Sequence, residues 1–364
     1  MNHYTLLSRL FPTRPPATNP RRIVLIQPCC IGDVVAATAL LKALRRGYPQ
    51  AHITFAVGSW SKRAIESHSF LDAILDTGPA ANPARSWSGM RRLVGQLRAG
   101  HFDLAVSLMR SPFMSLAVAL SRIPHRVGLD SAGRGFGYTV RVAIDPAEVR
   151  NEAEIYLDAA RALGLDTSDC TINAPTREED LVSVQARLFL RQIPIPYVVV
   201  NPTGGSNPGM TMVSKRWPPE NFAALIEQIS DATDRQVILI GGPDDGETVA
   251  AVQAALKQPV PALVGELTFG ELAALAQLSD GYIGNDTGLT QLAAAVGART
   301  VAIFGPSDPA RYAPFTPNAL ALWQPRTLPG GGVAAGVPAD WNWARDGIGV
   351  AEVVARTLDF WQLR

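Results

Sequence analysis

Residues 23–46 read IVLIQPCCIGDVVAATALLKALRR: an apolar, β-branched run Ile23–Gln27, a Gly32-Asp33 turn, then Val34–Arg46 with apolar residues at helical spacing. That is strand, loop, helix. The grammar continues through extended Ile53–Val57 and Ala73–Asp76, with a helix expected around Ser61–Ser67. Helices over Trp87–Arg98, Phe113–Ser121 and Glu152–Leu163 then alternate with extended Leu104–Leu108, Arg126–Leu129 and Thr139–Ile144. After a connection at Asp166–Arg177 the pattern restarts, with a helix Glu179–Arg191, a strand Tyr197–Asn201, a Gly-rich loop and a helix Pro219–Thr233. It runs on through Gln236–Ile240, Glu247–Leu256, Phe269–Leu278, Gly281–Gly284, Gly288–Val296 and Thr300–Phe304. Strands alternating with helices predict parallel sheets covered on both faces, so the fold class is α/β with two successive Rossmann-like, doubly wound domains. The boundaries expected are a flexible lead-in over 1–21, domains over 22–176 and 177–345, and a C-terminal helix in 346–364, with Gly330–Pro338 as a mobile loop.

A chain of 364 residues fits two ordinary domains, and 47% hydrophobic with 18% charged residues describes a globular protein with ample core material. The formal net charge of +1 argues against a nucleic-acid binder. The halves differ, however: residues 1–175 hold 20 Lys+Arg against 13 Asp+Glu (+7), and the remainder 13 against 19 (−6). The basic half suits an anionic acceptor or peripheral contact with the anionic inner face of a membrane; arginines that only solvate helices account for it equally well. Cys29, Cys30 and Cys170 cannot build a disulfide framework and fall in no zinc pattern, which fits a cytoplasmic protein. The prolines at 12, 15, 16 and 20 interrupt the first residues too early for a signal peptide, and no run of about 18 apolar residues occurs. His52, His68, His101 and His125 show no ligand spacing, so no metal site is expected.

Three constellations carry chemistry. Gly32-Asp33 lies beyond the end of the first strand, where doubly wound sheets bind ligands, although Asp33 equally serves as a cap of the following helix. Thr203-Gly204-Gly205-Ser206 follows a strand, and Lys215-Arg216 precedes a helix; free amides beside two cations make a pyrophosphate cradle, while an ordinary solvated loop is the alternative. The spacing is not that of a P-loop. Asn285-Asp286-Thr287-Gly288 ends a strand and opens a helix of small residues whose first amides are free to meet an anion; turn and cap chemistry is again the competing account.

Taken in order, Ile23–Ile26 through Ile31-Gly32-Asp33-Val34, then Lys215-Arg216-Trp217-Pro218, then Asn285-Asp286-Thr287-Gly288 with Phe304-Gly305-Pro306, the chain resembles glycosyltransferase family 9, the ADP-heptose:lipopolysaccharide heptosyltransferase group. The likeness spans Arg22 to about Pro314. It implies a GT-B architecture, two Rossmann-like domains facing a central cleft, and an inverting transfer that needs no metal or other cofactor. By the same resemblance Asp33 is the general base and Lys215 a cation at the leaving group. Thr203, Gly204, Gly205, Ser206, Arg216, Asn285, Asp286, Thr287 and Gly288 line the donor, and Asp245 or Glu247 meets its ribose. The family commonly has His where this chain has Gln291, which hydrogen-bonds but carries no charge. The implied partners are a nucleotide-sugar donor, an ADP-sugar first, and a glycan, lipid-linked saccharide or glycosylated small-molecule acceptor. A non-hydrolysing nucleotide-sugar epimerase or a non-catalytic sugar-nucleotide binder are the other readings of the same architecture.

Overall fold

In the computed structural model, which describes residues 4, 7–207, 210–326 and 340–362, β1 (Arg22–Ile26) is solvent-exposed only at its first residue. It leads directly into α1 (Ile31–Gly47), so the helix begins three residues before the apolar spacing announces it, and Gly32 and Asp33 lie in its first turn. The first unit, Met1–Ile172, continues with β2 (His52–Val57), β3 (Ala73–Asp76), α2 (Trp87–Ala99), β4 (Leu104–Ser107), α3 (Pro112–Leu120), β5 (His125–Ser131), β6 (Val140–Ile144) and α4 (Glu152–Arg161). Its sheet has the order β3-β2-β1-β4-β5-β6, parallel throughout. β1 and β4 are buried apolar runs because helices cover both faces.

The second unit, Asn173–Arg364, starts with α5 (Glu178–Leu190) and β7 (Tyr197–Asn201). A two-stranded ribbon of β8 (Ser206–Asn207) and β9 (Met210–Thr211) precedes α6 (Pro219–Ala232), β10 (Gln236–Gly241), α7 (Gly246–Ala255), β11 (Ala262–Val264) and α8 (Phe269–Gln277). Then come β12 (Gly281–Asn285), α9 (Gly288–Ala295), β13 (Thr300–Ile303), α10 (Pro309–Tyr312), β14 (Ala319–Leu322), α11 (Trp343–Asp346) and α12 (Val350–Trp361). The order β11-β10-β7-β12-β13-β14 is again all parallel and repeats the first sheet strand for strand. Each unit is therefore a Rossmann-like sheet with strand order 3-2-1-4-5-6 and its own core. The terminal helix belongs to the second core: Trp361 is fully buried, and its indole N–H donates to Arg299 O at 2.9 Å.

Several expectations change. Ser61–Ser67 is not a helix; a single 3₁₀ turn, Lys62–Ala64, stands there. β11 and β14 gave no sequence signal because they are short edge strands with mostly half-buried residues. Among the described residues of the lead-in, Arg14 N–H donates to Thr139 O at 3.0 Å, and Arg141 binds the carbonyls of Ser8 and Phe11. Cys29 and Cys30 form a disulfide that joins neighbours and closes no loop, whereas Cys170 is a buried thiol. The Gly330–Pro338 loop lies outside the described residues. Among the described residues no helix is long and apolar enough to cross a membrane.

Candidate functional site

In the first unit the site forms at the carboxyl ends of β1 and β4, where the strand order reverses. Asp33, at the third helical position of α1, reaches back so that Oδ2 accepts from Cys30 N–H at 3.1 Å, the acidic half of a capping box. Its other oxygen accepts from the Tyr156 hydroxyl at 3.3 Å. The capping carboxylate of α1 and the candidate functional carboxylate are thus one residue. On the same α4 helix, Glu152 receives both Arg110 guanidinium nitrogens, at 3.2 and 2.5 Å, from the loop after β4. Burial, reinforced by the Glu152 charge, raises Asp33 to about 6 against the pull of the Cys30 amide, the Tyr156 hydroxyl and Arg110. Burial also lifts Tyr156 well above its ordinary value, so it stays a hydrogen-bond donor. Burial opposes the charge on Arg110, but Glu152 overcomes it and raises the guanidinium pKa. A carboxylate of this basicity with part of its surface still open to solvent is equipped to accept a proton near neutral pH.

In the second unit the site forms at the equivalent place, the carboxyl ends of β7 and β12. Asn201 Oδ1 accepts from Thr203 N–H at 3.0 Å and from its hydroxyl at 2.7 Å, and Asn201 Nδ2 donates to Tyr282 Oη at 2.9 Å. Gly204 and Gly205 follow at φ of +106° and +77°, conformations that favour glycine; a Cβ on Gly204 would also collide with the Thr287 side chain. Asn285 is fully buried, donating to the carbonyls of Pro202 and Thr203 at 2.9 and 3.2 Å and accepting from Trp217 N–H at 2.9 Å. Its side chain welds the two loops to the Lys215 segment. Lys215 forms a buried ion pair with Asp286, and its ammonium stands 5.7 Å from the Tyr312 ring centre. Thr287 caps α9, and its hydroxyl accepts from Thr290 N–H at 3.5 Å.

The remaining expected donor residues are placed unevenly. Arg216 is used on the scaffold, donating to Gly204 O at 2.8 Å and the Thr248 hydroxyl at 3.1 Å. Asp245 accepts from Gly242 N–H at 2.9 Å inside its own turn, which leaves Glu247, exposed in the first turn of α7, as the open carboxylate. Ser206 is exposed on the short ribbon, and Gln291 donates to Tyr312 O at 2.7 Å. Arg110, Glu152 and Tyr156 escaped the sequence reading. Arg110 alone had a usable signal, because it follows the fourth strand of its sheet as Asp286 follows the fourth strand of the other.

Comparison with known proteins agrees with this geometry. The family model described as Glycosyltransferase family 9 (heptosyltransferase) matches residues 90–329. Lipopolysaccharide heptosyltransferase 2 of Escherichia coli (strain K12) is 28% identical over 307 residues, covering 83% of this chain and 87% of its own. The crystal structure of a family 9 glycosyl transferase from Veillonella parvula DSM 2008 matches with a TM-score of 0.81 at 21% identity, over 96% of this chain and 99% of that one. E. coli ADP-heptose lps heptosyltransferase II matches with a TM-score of 0.72 at 22% identity, over 94% and 98%. Two Rossmann-like units of this kind make up the GT-B architecture. The chain belongs to glycosyltransferase family 9 and is a heptosyltransferase-like glycosyltransferase.

Proposed function

We propose that the protein is an inverting glycosyltransferase that moves a heptose-like sugar from an ADP-sugar to a hydroxyl of a lipopolysaccharide-type glycan or lipid-linked saccharide. The observation that carries the proposal is the Asp33 carboxylate, raised to about 6 at the switch point of the first sheet. In this reading the ionised carboxylate takes the acceptor hydroxyl proton as the oxygen attacks the anomeric carbon; the bond to the diphosphate breaks and ADP leaves. The negative charge that develops on the diphosphate is met by Lys215 and by the first amides of α9 at Thr287-Gly288, so no metal ion is required. Two fixed glycine turns let the backbone amides of the loop after β7 approach the phosphates closely. The ADP-heptose donor is supported by the named solved relative, E. coli ADP-heptose lps heptosyltransferase II. Peripheral contact of the basic first unit with an anionic membrane is part of the same proposal.

The test combines thermal shift with transfer. ADP and ADP-heptose should stabilise the protein with EDTA present, as a ligand of the native state does, and ADP should be released only when a lipopolysaccharide-core acceptor is added. Stabilisation confined to UDP or GDP compounds would refute the donor. Loss of turnover with EDTA, restored by Mg²⁺, would refute the metal-independent step.

A further inference from the structure

We infer that Tyr156, Arg110 and Glu152 are positioning residues for Asp33: the Tyr156 hydroxyl orients the carboxylate, and the clamped Arg110–Glu152 pair tunes how readily it takes a proton. The inference rests on the reading of Asp33 as general base. Glu152 and Tyr156 stand four residues apart on α4, so both project from one face of the helix, and α4 packs on α1. Tyr156 touches Oδ1 while the Cys30 amide holds Oδ2, so each oxygen of Asp33 has a donor that fixes its direction. Arg110 is committed bidentately to Glu152, whose side chain is only 10% exposed. The pair therefore holds one charge of each sign in fixed geometry, and both charges act on Asp33.

Charged groups elsewhere on α1 and on the 3₁₀ turn packed against it are engaged with other partners or exposed. Lys42, about two and a half turns further along α1, donates to Asp169 O at 2.8 Å. On the 3₁₀ turn that also packs against α1, Lys62 is bound to Asp76 at 2.9 Å and Arg63 is exposed. Cys29 and Cys30 are bonded to each other and do not titrate. The Glu152 charge raises Asp33, and the Tyr156 hydroxyl and Arg110 lower it. A residue that served only the packing of α4 on α1 would change stability; it would not move the Asp33 titration in a direction set by its own charge or hydrogen bond.

The experiment follows the Asp33 side-chain carboxyl by ¹³C NMR in the full chain labelled at aspartate, with Asp33→Asn assigning the resonance. The pH dependence of ADP release from ADP-heptose with a lipopolysaccharide-core acceptor is measured in parallel. Glu152→Gln, which keeps hydrogen-bonding groups for Arg110, should lower the Asp33 midpoint by about one pH unit or more. Tyr156→Phe should raise it, and the acidic limb of turnover should follow in both variants. Midpoints that stay at the wild-type value, or move in the same direction in the two variants, overturn the inference. Should Glu152→Gln fail to fold, Tyr156→Phe decides alone: an upward shift supports the assignment and an unmoved midpoint overturns it. Retained turnover in Asp33→Asn alongside these opposite shifts would refute the base reading separately while supporting the coupling.

Discussion

Asp33 has its proton affinity raised by burial and by Glu152, and holding it ionised in that setting costs stability. Its folded value of about 6 lies above the unfolded value of 3.8, so the folded state keeps its proton to higher pH than the unfolded chain does. Stability associated with the neutral carboxyl is full below about pH 4 and is lost as pH rises through 6. Replacing Asp33 by Asn removes that loss while an amide oxygen remains available to the Cys30 N–H. Asp33→Asn should therefore be more stable than wild type at pH 8 by up to about 3 kcal/mol, and no more stable at pH 4. Chemical denaturation at the two pH values checks both halves. The same variant should lose roughly 10²–10⁴ in turnover while keeping the thermal shift induced by ADP; near-normal turnover would remove the base assignment. The sequence leaves Asp33 open as cap or as base; Oδ2 serves the cap, and Oδ1, which accepts from Tyr156, is the oxygen left for the proposed base role.

At the scale of elements, the segment Lys215-Arg216-Trp217 shows how a loop builds the candidate donor site. Trp217 is buried in the second core and its N–H donates to Asn285; Arg216 holds the Gly204 carbonyl; Lys215 is thereby delivered to Asp286 at the mouth of α9. The pair is almost closed to solvent, with side chains 11% and 7% exposed, so removing one charge strands the other. Lys215→Met should cost about 3 kcal/mol in stability and abolish the ADP-induced thermal shift. Adding Asp286→Asn should restore most of the stability without restoring the shift, a split that separates the structural role of the pair from its ligand role. Recovery of both together would mean that Lys215 acts only through folding. Gly204→Ala should also fail at this scale. Alanine disfavours φ of +106°, and its Cβ would meet Thr287, so both the loop and the α9 entry must shift. Denaturation should show a loss of about 1–3 kcal/mol, accompanied by weaker ADP binding.

The fold was legible where burial writes a continuous apolar run. β1, β4, β7, β12 and β13 are central parallel strands with no solvated face to interrupt the pattern, whereas β11 and β14 are short edge strands with little buried surface. The same logic divides the site. Loops after β7 and β12 announce themselves through glycine and Asn-Asp chemistry within a few residues of a strand end. The partners of Asp33 do not: Tyr156 lies 123 positions later, on a helix whose own pattern reads as ordinary packing. Only the packing of α4 on α1 brings the two together.

Across the whole molecule the two units repeat one topology and place their polar clusters at the same switch point, yet they diverge in charge, +7 for the Lys, Arg, Asp and Glu of residues 1–175 and −6 for the rest. On the proposed function the two units take different ligands, the acceptor at the basic first unit and the nucleotide at the second. On α2, Trp87 is 83% exposed and Arg91 is exposed one turn further along the same face, with Arg85 exposed just before the helix. An aromatic ring beside cations suits the interface of an anionic bilayer, where the ring enters the headgroup layer and the arginines meet phosphate. Sedimentation with vesicles containing phosphatidylglycerol should therefore carry the protein down at low ionic strength. Binding should fall as salt approaches 0.5 M, weaken in Trp87→Ala and in Arg85→Ala/Arg91→Ala, and be absent with purely zwitterionic vesicles. Equal binding to both vesicle types, or none to either at low salt, would leave the arginines to the acceptor or to solvent. The acceptor alternative has its own signature, because the arginine variants would then raise KM for the acceptor without changing sedimentation.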